Sequence, residues 1–221
     1  MSRDRLAAAR VSSIQESIER INSNVHQIAT LHARLLNVID DSQAQDSAQL
    51  DQLAADTRTL NSGIKERIRA LEGLASSGPD TRMRQNRLTF VRSKFIEAIQ
   101  NYQRVEQDYR VKSRQRVERQ LKIVKPDATQ EEVTAAVEGG GQQVFAQALT
   151  SSSRYGESRM AYREVQERQA EIKKMEETLA ELAQLFNDMS ILIEQQDEII
   201  TDVEKNAAGV EHDTEKAHGK R

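Results

Sequence analysis

Residues 172–200 read IKKMEETLAELAQLFNDMSILIEQQDEII, and the spacing of their large apolar side chains decides the fold. From Ile172 onward, apolar residues recur at alternating steps of three and four. This is the a/d heptad repeat of a coiled coil, in which one narrow stripe of a helix packs against partner helices. We call this stripe the seam; besides one glutamine, it holds Ile172, Met175, Leu179, Leu182, Phe186, Met189, Ile193, Ile200, Val203, Ala207, Val210, Thr214 and Ala217. A helix over this range would be about 70 Å long.

The glutamine of the seam is Gln196, which lies between Ile193 and Ile200. A buried amide without partners costs about 1–3 kcal/mol, so a partner has to satisfy it. A single polar residue in an apolar coiled-coil core specifies register and strand number. We therefore interpret Gln196 as a register-setting residue. The alternative, a tolerated exposed position, requires a shifted register that would expose both isoleucines.

The N-terminal half contains three further apolar runs with steps of three and four, over about 11–40, 47–75 and 82–123. Polar residues around 40–47 and the Gly-Pro segment at 76–80 separate them. We predict an antiparallel three-helix bundle over 11–124, after an N-terminal tail at 1–10. The basic end of the third run, 110–119, is read as a solvated helix end, with an acidic partner or anionic lipid as the alternative.

The segment 125–169 has a weaker pattern and is predicted to be a linker with short helices. It nevertheless carries apolar residues, among them Val133, Val137, Val144 and Phe145. We expect them to dock on a folded surface, because a purely flexible connector has little reason to carry them. The flexible connector remains the alternative. The coiled-coil motif then occupies 170–218, and the predicted fold is all-α.

The composition argues against several classes of function. The 221-residue chain has a formal net charge of −3, so we expect no nucleic-acid binding, which requires clustered positive charge. It contains no cysteine and no apolar stretch of the about 20 residues that a bilayer span needs, so we expect the chain as given to be soluble.

The histidines do not point to an enzyme. Within each pair (His26 with His32, His212 with His218) the spacing of six residues places the side chains on different helix faces. We read each histidine as a surface residue. With no Gly-rich phosphate loop either, we predict no catalytic site, no metal site and no cofactor.

Residues 186–200, FNDMSILIEQQDEII, resemble the centre of the SNARE motif of syntaxins, Q-type SNAREs of the vesicle-fusion machinery. The resemblance is to the plasma-membrane, syntaxin-1-like branch. It extends to KFIE at 94–97, DYR at 108–110 and RQL at 119–121, within the regulatory three-helix (Habc) domain of that family. It implies that Gln196 is the central-layer glutamine and that the other seam residues form the flanking core layers. The linker residues implied to hold a closed state are Val133, Thr134, Val137, Val144 and Phe145.

The resemblance also implies the partners. These are an R-SNARE (synaptobrevin-like) helix, Qb and Qc (SNAP-25-like) helices, and a Sec1/Munc18 protein. Together the helices form a four-helix coiled coil that drives vesicle docking and exocytosis. In the closed state, the SNARE helix folds back onto the three-helix bundle. The family continues into a membrane anchor, so we interpret the chain as the part on the cytoplasmic face of the plasma membrane.

Three features depart from the branch. Val133-Thr134 stands where the branch tends to have Leu-Glu, Thr214 occupies an expected apolar layer, and the N-terminal peptide is reduced to residues 2–6.

A second hypothesis is a constitutive helical scaffold or membrane-curving dimer. It accounts for the heptads, but not for the lone Gln196 in the seam or for the apolar linker. Such a scaffold should form a stable homodimer by itself.

Overall fold

A computed structural model describes residues 3–37, 43–75, 81–138 and 155–218. Side chains are described for 8–37, 43–73, 81–138 and 159–190. The described part contains five helices: α1 (Arg3–Asn37), α2 (Gln43–Ala75), α3 (Thr81–Val124), α4 (Gln130–Val137) and α5 (Tyr155–His218). The predicted all-α class is confirmed.

Helices α1, α2 and α3 form the predicted bundle. Their apolar runs supply its core, in which Ile14, Ile28, Ile68 and Phe95 are fully buried. A helix with one apolar stripe cannot bury it alone, so the three stripes converge. One boundary differs from the prediction, because α1 begins at Arg3 and the expected tail at 1–10 is helical over most of its length. Alanines at 7–9 favour this, since alanine has the highest helix propensity.

Helix α4 lies in the predicted linker and begins with a capping box. The hydroxyl of Thr129 accepts from the main-chain N–H of Glu132, whose carboxylate in turn accepts from the N–H of Thr129. This reciprocal pair satisfies two main-chain donors that the first turn leaves free. Two predicted linker residues, Val144 and Phe145, lie outside the described residues.

Helix α5 begins at Tyr155, so the prediction that the linker extends to residue 169 is wrong. The reason is visible in the burial pattern. Ala161, Val165 and Arg168 are buried at steps of four and three that lead into Ile172. The heptad pattern of buried residues therefore begins before the apolar run that starts at Ile172, and α5 is correspondingly longer at its N-terminal end.

The N-terminal half of α5 packs against the bundle, mainly along α3. One continuous cluster joins the bundle core to Leu182, Leu185 and Met189 of α5. The bundle thus acquires a fourth helix from the C-terminal part of the same chain.

Candidate functional site: the seam of α5

The described seam residues face the bundle. Ile172, Met175, Leu182 and Met189 are buried, whereas Leu179 and Phe186 are half-buried. The spacing therefore correctly selected the face of α5 that becomes buried. The side chains of the remaining seam positions lie outside the described residues: Ile193, Gln196, Ile200, Val203, Ala207, Val210, Thr214 and Ala217.

The buried face of α5 is wider than the seam on one side. Leu185 is only 9 % exposed and belongs to the bundle cluster, although it is not a seam position. A groove between helices contacts a broader stripe than the two positions per heptad of a coiled-coil seam. Leu185 was missed because heptad counting selects only those two positions.

The linker helix α4 closes over the start of the seam. Val133 and Ala136 are buried in a second cluster with Val117 of α3 and with Val165 and Ile172 of α5. Gln169 of α5 also donates a hydrogen bond to the carbonyl oxygen of Ala136. Helix α4 therefore contacts both the bundle and the seam.

The predicted linker residues are not equivalent. Val133 is buried and Val137 is half-buried. Thr134 is exposed, and its hydroxyl donates to the carbonyl of Gln130 within α4, at 2.9 Å. We expected Thr134 to help hold the closed state, but its side chain does not pack against the rest of the described structure. The opposite face of α4, with Val133 and Ala136, makes the contact.

Arg168 is a buried basic residue that sequence reasoning missed. It is 1 % exposed, and its guanidinium donates to Glu171 Oε2 at 2.6 Å and to the main-chain carbonyl of Leu35 in α1. A buried charge is tolerated only when it is paired and hydrogen-bonded. Extending the seam backward by steps of four and three would have placed Arg168 at a core position.

The surroundings of Arg168 are polar and enclosed. Burial raises the pKa of Glu171, and the charge and hydrogen bond of Arg168 oppose that shift. On the bundle side, His32 stacks on Tyr109 with ring centroids 4.9 Å apart, and its Nε2 lies 3.5 Å from Glu106 Oε1. The prediction that every histidine is a surface residue is therefore wrong for His32, which is 4 % exposed.

On its other flank α5 faces α2 through ion pairs. Lys174 pairs with Asp51 at 2.7 Å and Arg58 pairs with Glu181 at 2.6 Å. The third pair joins Lys65 to Asp188.

A crevice of about 260 Å³ lies between α2, α3 and α5, and the second and third of these pairs line it. Tyr102 of α3 and Leu182 of α5 line it. Burial, together with the nearby Glu106 carboxylate, raises the pKa of Tyr102, so its phenol is neutral at physiological pH.

The chemistry of the described part is that of a binding surface. Over the side chains described, no three His, Asp or Glu residues converge as metal ligands. None of the described helices combines the length and apolar character required to cross a membrane. What the arrangement offers is a long apolar seam, whose described portion is covered by the protein's own bundle. This defines a helical interaction protein whose main binding element is a coiled-coil helix.

Comparison with known proteins identifies the family. A family model described as SNARE domain matches residues 163–220, and one described as Syntaxin matches residues 7–149. Syntaxin-like protein psy1 of Schizosaccharomyces pombe is 39 % identical over 205 residues, covering 90 % of this chain and 72 % of that protein. Protein SSO1 of Saccharomyces cerevisiae is 34 % identical over 212 residues, covering 95 % and 72 %. The chain belongs to the syntaxin family and is a syntaxin-1-like Qa-SNARE, as the resemblance indicated.

A solved structure shares the fold. It is the Unc18–syntaxin 1 complex from Monosiga brevicollis, with a TM-score of 0.64 and 22 % identity, covering 85 % of this chain and 81 % of that one. The SNARE match begins at residue 163, within α5 and before the predicted start of the motif at 170. Arg168 therefore lies inside the SNARE domain.

Proposed function

We propose that this protein drives vesicle docking and fusion in exocytosis by zippering its seam into a four-helix coiled coil. The partners are an R-SNARE helix of the synaptobrevin type and Qb and Qc helices of the SNAP-25 type. The SNARE domain at residues 163–220 and the syntaxin relatives support this proposal. Burial of the seam supplies the free energy, and no covalent chemistry is involved.

In this proposal Gln196 occupies the central polar layer. Its amide oxygen accepts a hydrogen bond from an arginine of a partner helix, which satisfies the amide and fixes the register. Zippering from Ile172 toward Ala217 draws the C-terminal end of the motif toward the opposing membrane. This end would lead into a membrane anchor on the cytoplasmic face of the plasma membrane.

The bundle regulates assembly by competition, and one observation carries this point. Ile172, Met175, Leu182 and Met189 are buried against α3 and its neighbours, and a buried face cannot pack against partner helices at the same time. Because the bundle is tethered to the seam, it competes at a high effective concentration, of millimolar order for a short linker. We call the observed arrangement the closed state.

A Sec1/Munc18 protein is the proposed regulator of the closed state. The similar solved structure is a syntaxin in complex with Unc18, which supports a partner of this kind. A constitutive scaffold fits less well, because the part of the seam described is covered within one chain and is not left open for a second copy.

Helix α4 offers a direct test of the competition. Val133→Asp places a carboxylate in the cluster that joins α4 to Val165 and Ile172. Thr134→Asp adds the same charge one residue later, on the exposed face. We expect Val133→Asp to accelerate assembly with the three partner helices about tenfold, which corresponds to about 1.4 kcal/mol of lost docking.

The rate is measured by fluorescence anisotropy of a labelled R-SNARE helix. Thr134→Asp should assemble at the wild-type rate. Equal rates for the two variants would contradict the proposed role of α4 in the closed state.

A further inference from the structure

Three ion pairs between α2 and α5 share one geometric rule. The two residues of each pair are 123 positions apart, and successive pairs are seven positions apart along both helices. We call these pairs the charge ladder: Asp51 with Lys174, Arg58 with Glu181, and Lys65 with Asp188. The constant offset means that α2 and α5 run parallel with matching heptads.

The apolar residues of the seam do not by themselves fix the position of α5 along the bundle. Its apolar positions repeat every seven residues, so a slip of one heptad again places apolar residues of α5 over the groove. Such a slip moves the helix by about 10 Å, at ~1.5 Å per residue. Some feature without this repetition therefore has to select the observed register.

The ladder has that property, because its signs alternate. When the offset falls by seven, to 116, Arg58 faces Lys174. Glu72, which pairs with the buried Arg92 in the observed structure, then faces Asp188. Asp51 likewise faces Glu167, so three of the four facing pairs are repulsive.

When the offset rises by seven, to 130, Asp51 faces Glu181. Only one attractive pair then remains, Arg58 with Asp188. The observed offset is the one of the three at which every rung is attractive.

We propose that the charge ladder selects the register in which the SNARE helix docks on its own bundle. The inference rests on the closed state proposed above and adds what aligns it. The register is selected by the difference in electrostatic free energy between the registers, and no single pair needs to be strong. Two of the pairs are about half-exposed, and exposed pairs change an equilibrium only about one- to fivefold each.

The test uses the absence of cysteine from the sequence, which allows single pairs of cysteines to be introduced. Ala54, Ser62, Thr178 and Gln184 all line the crevice between α2 and α5. The pair Ala54→Cys with Thr178→Cys reports the observed register, because these two residues are 124 positions apart, one more than the ladder offset of 123. Ser62→Cys with Thr178→Cys reports the slip to 116, and Ala54→Cys with Gln184→Cys the slip to 130. A short bismaleimide reagent cross-links each pair in the full chain.

The two single charge reversals should move the helix in opposite directions. With Arg58→Glu, the new carboxylate repels Glu181 and attracts Lys174, which reduces the preference for the observed register over the 116 register. With Glu181→Arg, the new guanidinium repels Arg58 and attracts Asp51, which favours the 130 register. We expect each reversal to raise cross-linking in its own slipped register about tenfold, because several pair interactions change sign together.

The double reversal, Arg58→Glu with Glu181→Arg, is the matched control. It restores an attractive rung and should return cross-linking to the observed register. High salt should reduce the effects of the single reversals, because it screens exposed charges.

If neither single reversal raises cross-linking in its own slipped register above that of the unreversed chain, the ladder is overturned and the closed state is left standing. The ladder would also be overturned if each single reversal raised cross-linking equally in the 116 and the 130 registers. No cross-link of any pair in the unreversed chain would overturn the closed state and the ladder together.

Discussion

The guanidinium of Arg168 in α5 donates a hydrogen bond to the carbonyl oxygen of Leu35, in the last turn of α1. Carbonyl groups in the last turn of a helix have no main-chain N–H partner within that helix, so a hydrogen bond from an external donor is favourable there. A cation at a helix C-terminus also interacts favourably with the helix dipole. Arg168 thus ties the start of the SNARE domain to the end of the first bundle helix.

Replacing Arg168 should open this end of the closed state. Arg168→Met leaves the carbonyl of Leu35 and the partly buried Glu171 without their donor, and truncating one partner of a buried charge pair costs about 2–5 kcal/mol. We expect faster hydrogen exchange in the last turn of α1 and faster assembly with partner helices. Arg168→Lys should be intermediate, since it keeps the charge but loses the forked geometry.

The matched control is Arg163→Met on the same helix. Arg163 is 84 % exposed and pairs with Glu167 one turn away, an interaction worth a few tenths of a kcal/mol. If both methionine variants exchange and assemble alike, Arg168 does not hold the closed state.

Leu185 and Leu179 should separate docking from assembly. Leu185 is buried against the bundle but is not a seam position, whereas Leu179 is a seam position that is only half-buried in the closed state. Leu185→Ala should speed assembly and leave the melting temperature of the assembled complex almost unchanged. Leu179→Ala should instead lower that melting temperature, since truncating a core leucine costs about 2–5 kcal/mol. Circular dichroism of the complexes and assembly kinetics provide the two measurements.

The pair between Lys65 and Asp188 should show a defined pH dependence. Hydrogen bonds from Lys65 and then from Gln184 lower the pKa of Asp188 below the 3.8 of an unperturbed aspartate. A carboxyl whose pKa is lowered on docking stabilises the docked state above its unperturbed pKa. That stabilisation disappears as the pH falls through the lowered pKa.

Asp188→Asn should therefore reduce the docked fraction by a constant factor between about pH 5 and pH 8. The difference from wild type should vanish in strong acid. Fluorescence energy transfer between dyes attached at Ala54→Cys and Thr178→Cys, measured as a function of pH in both backgrounds, checks this. A difference that grows as the pH falls would contradict the assignment.

The capping box of α4 should contribute to docking through local helix stability. Thr129→Ala removes the side-chain acceptor for the N–H of Glu132 and should cost about 1 kcal/mol. We expect faster hydrogen exchange throughout α4. Thr134→Ala is the control, because the hydroxyl of Thr134 donates within α4, to the carbonyl of Gln130, and the side chain is exposed. Equal protection in both variants would mean that α4 is held by packing alone.

Periodicity and local chain chemistry account for the features that could be predicted from the sequence. Ile172, Met175, Leu182 and Met189 repeat with the heptad, so their burial on one face of α5 could be derived without a structure. Val133 could be selected because an apolar residue in a polar linker requires a surface to pack on. The ends of α2 and α3 were also close to the prediction, because proline, glycine and polar residues mark them.

The rest depended on tertiary contacts. The heptad spacing can place Arg168 at a core position, but its acceptor, the carbonyl of Leu35, lies 133 residues away and is known only from the fold. His32 is buried because α3 supplies Tyr109 and Glu106, which its own helix does not reveal. Thr134 and Val133 are adjacent in sequence, and only the orientation of α4 decides which one is covered.

The cluster shared by α3 and α5 gives the closed state an energetic character of its own. Since Phe95 and Ile99 belong to the same cluster as Leu182 and Met189, the bundle and the docked helix have no separate interiors. A buried substitution in α3 therefore changes both the stability of the regulatory bundle and its affinity for the SNARE helix. Substitutions on the α2 side, where charged side chains span a crevice, can change the affinity alone. Natural variation in how readily such a protein opens should therefore accumulate on α2, while the interior of α3 stays constrained.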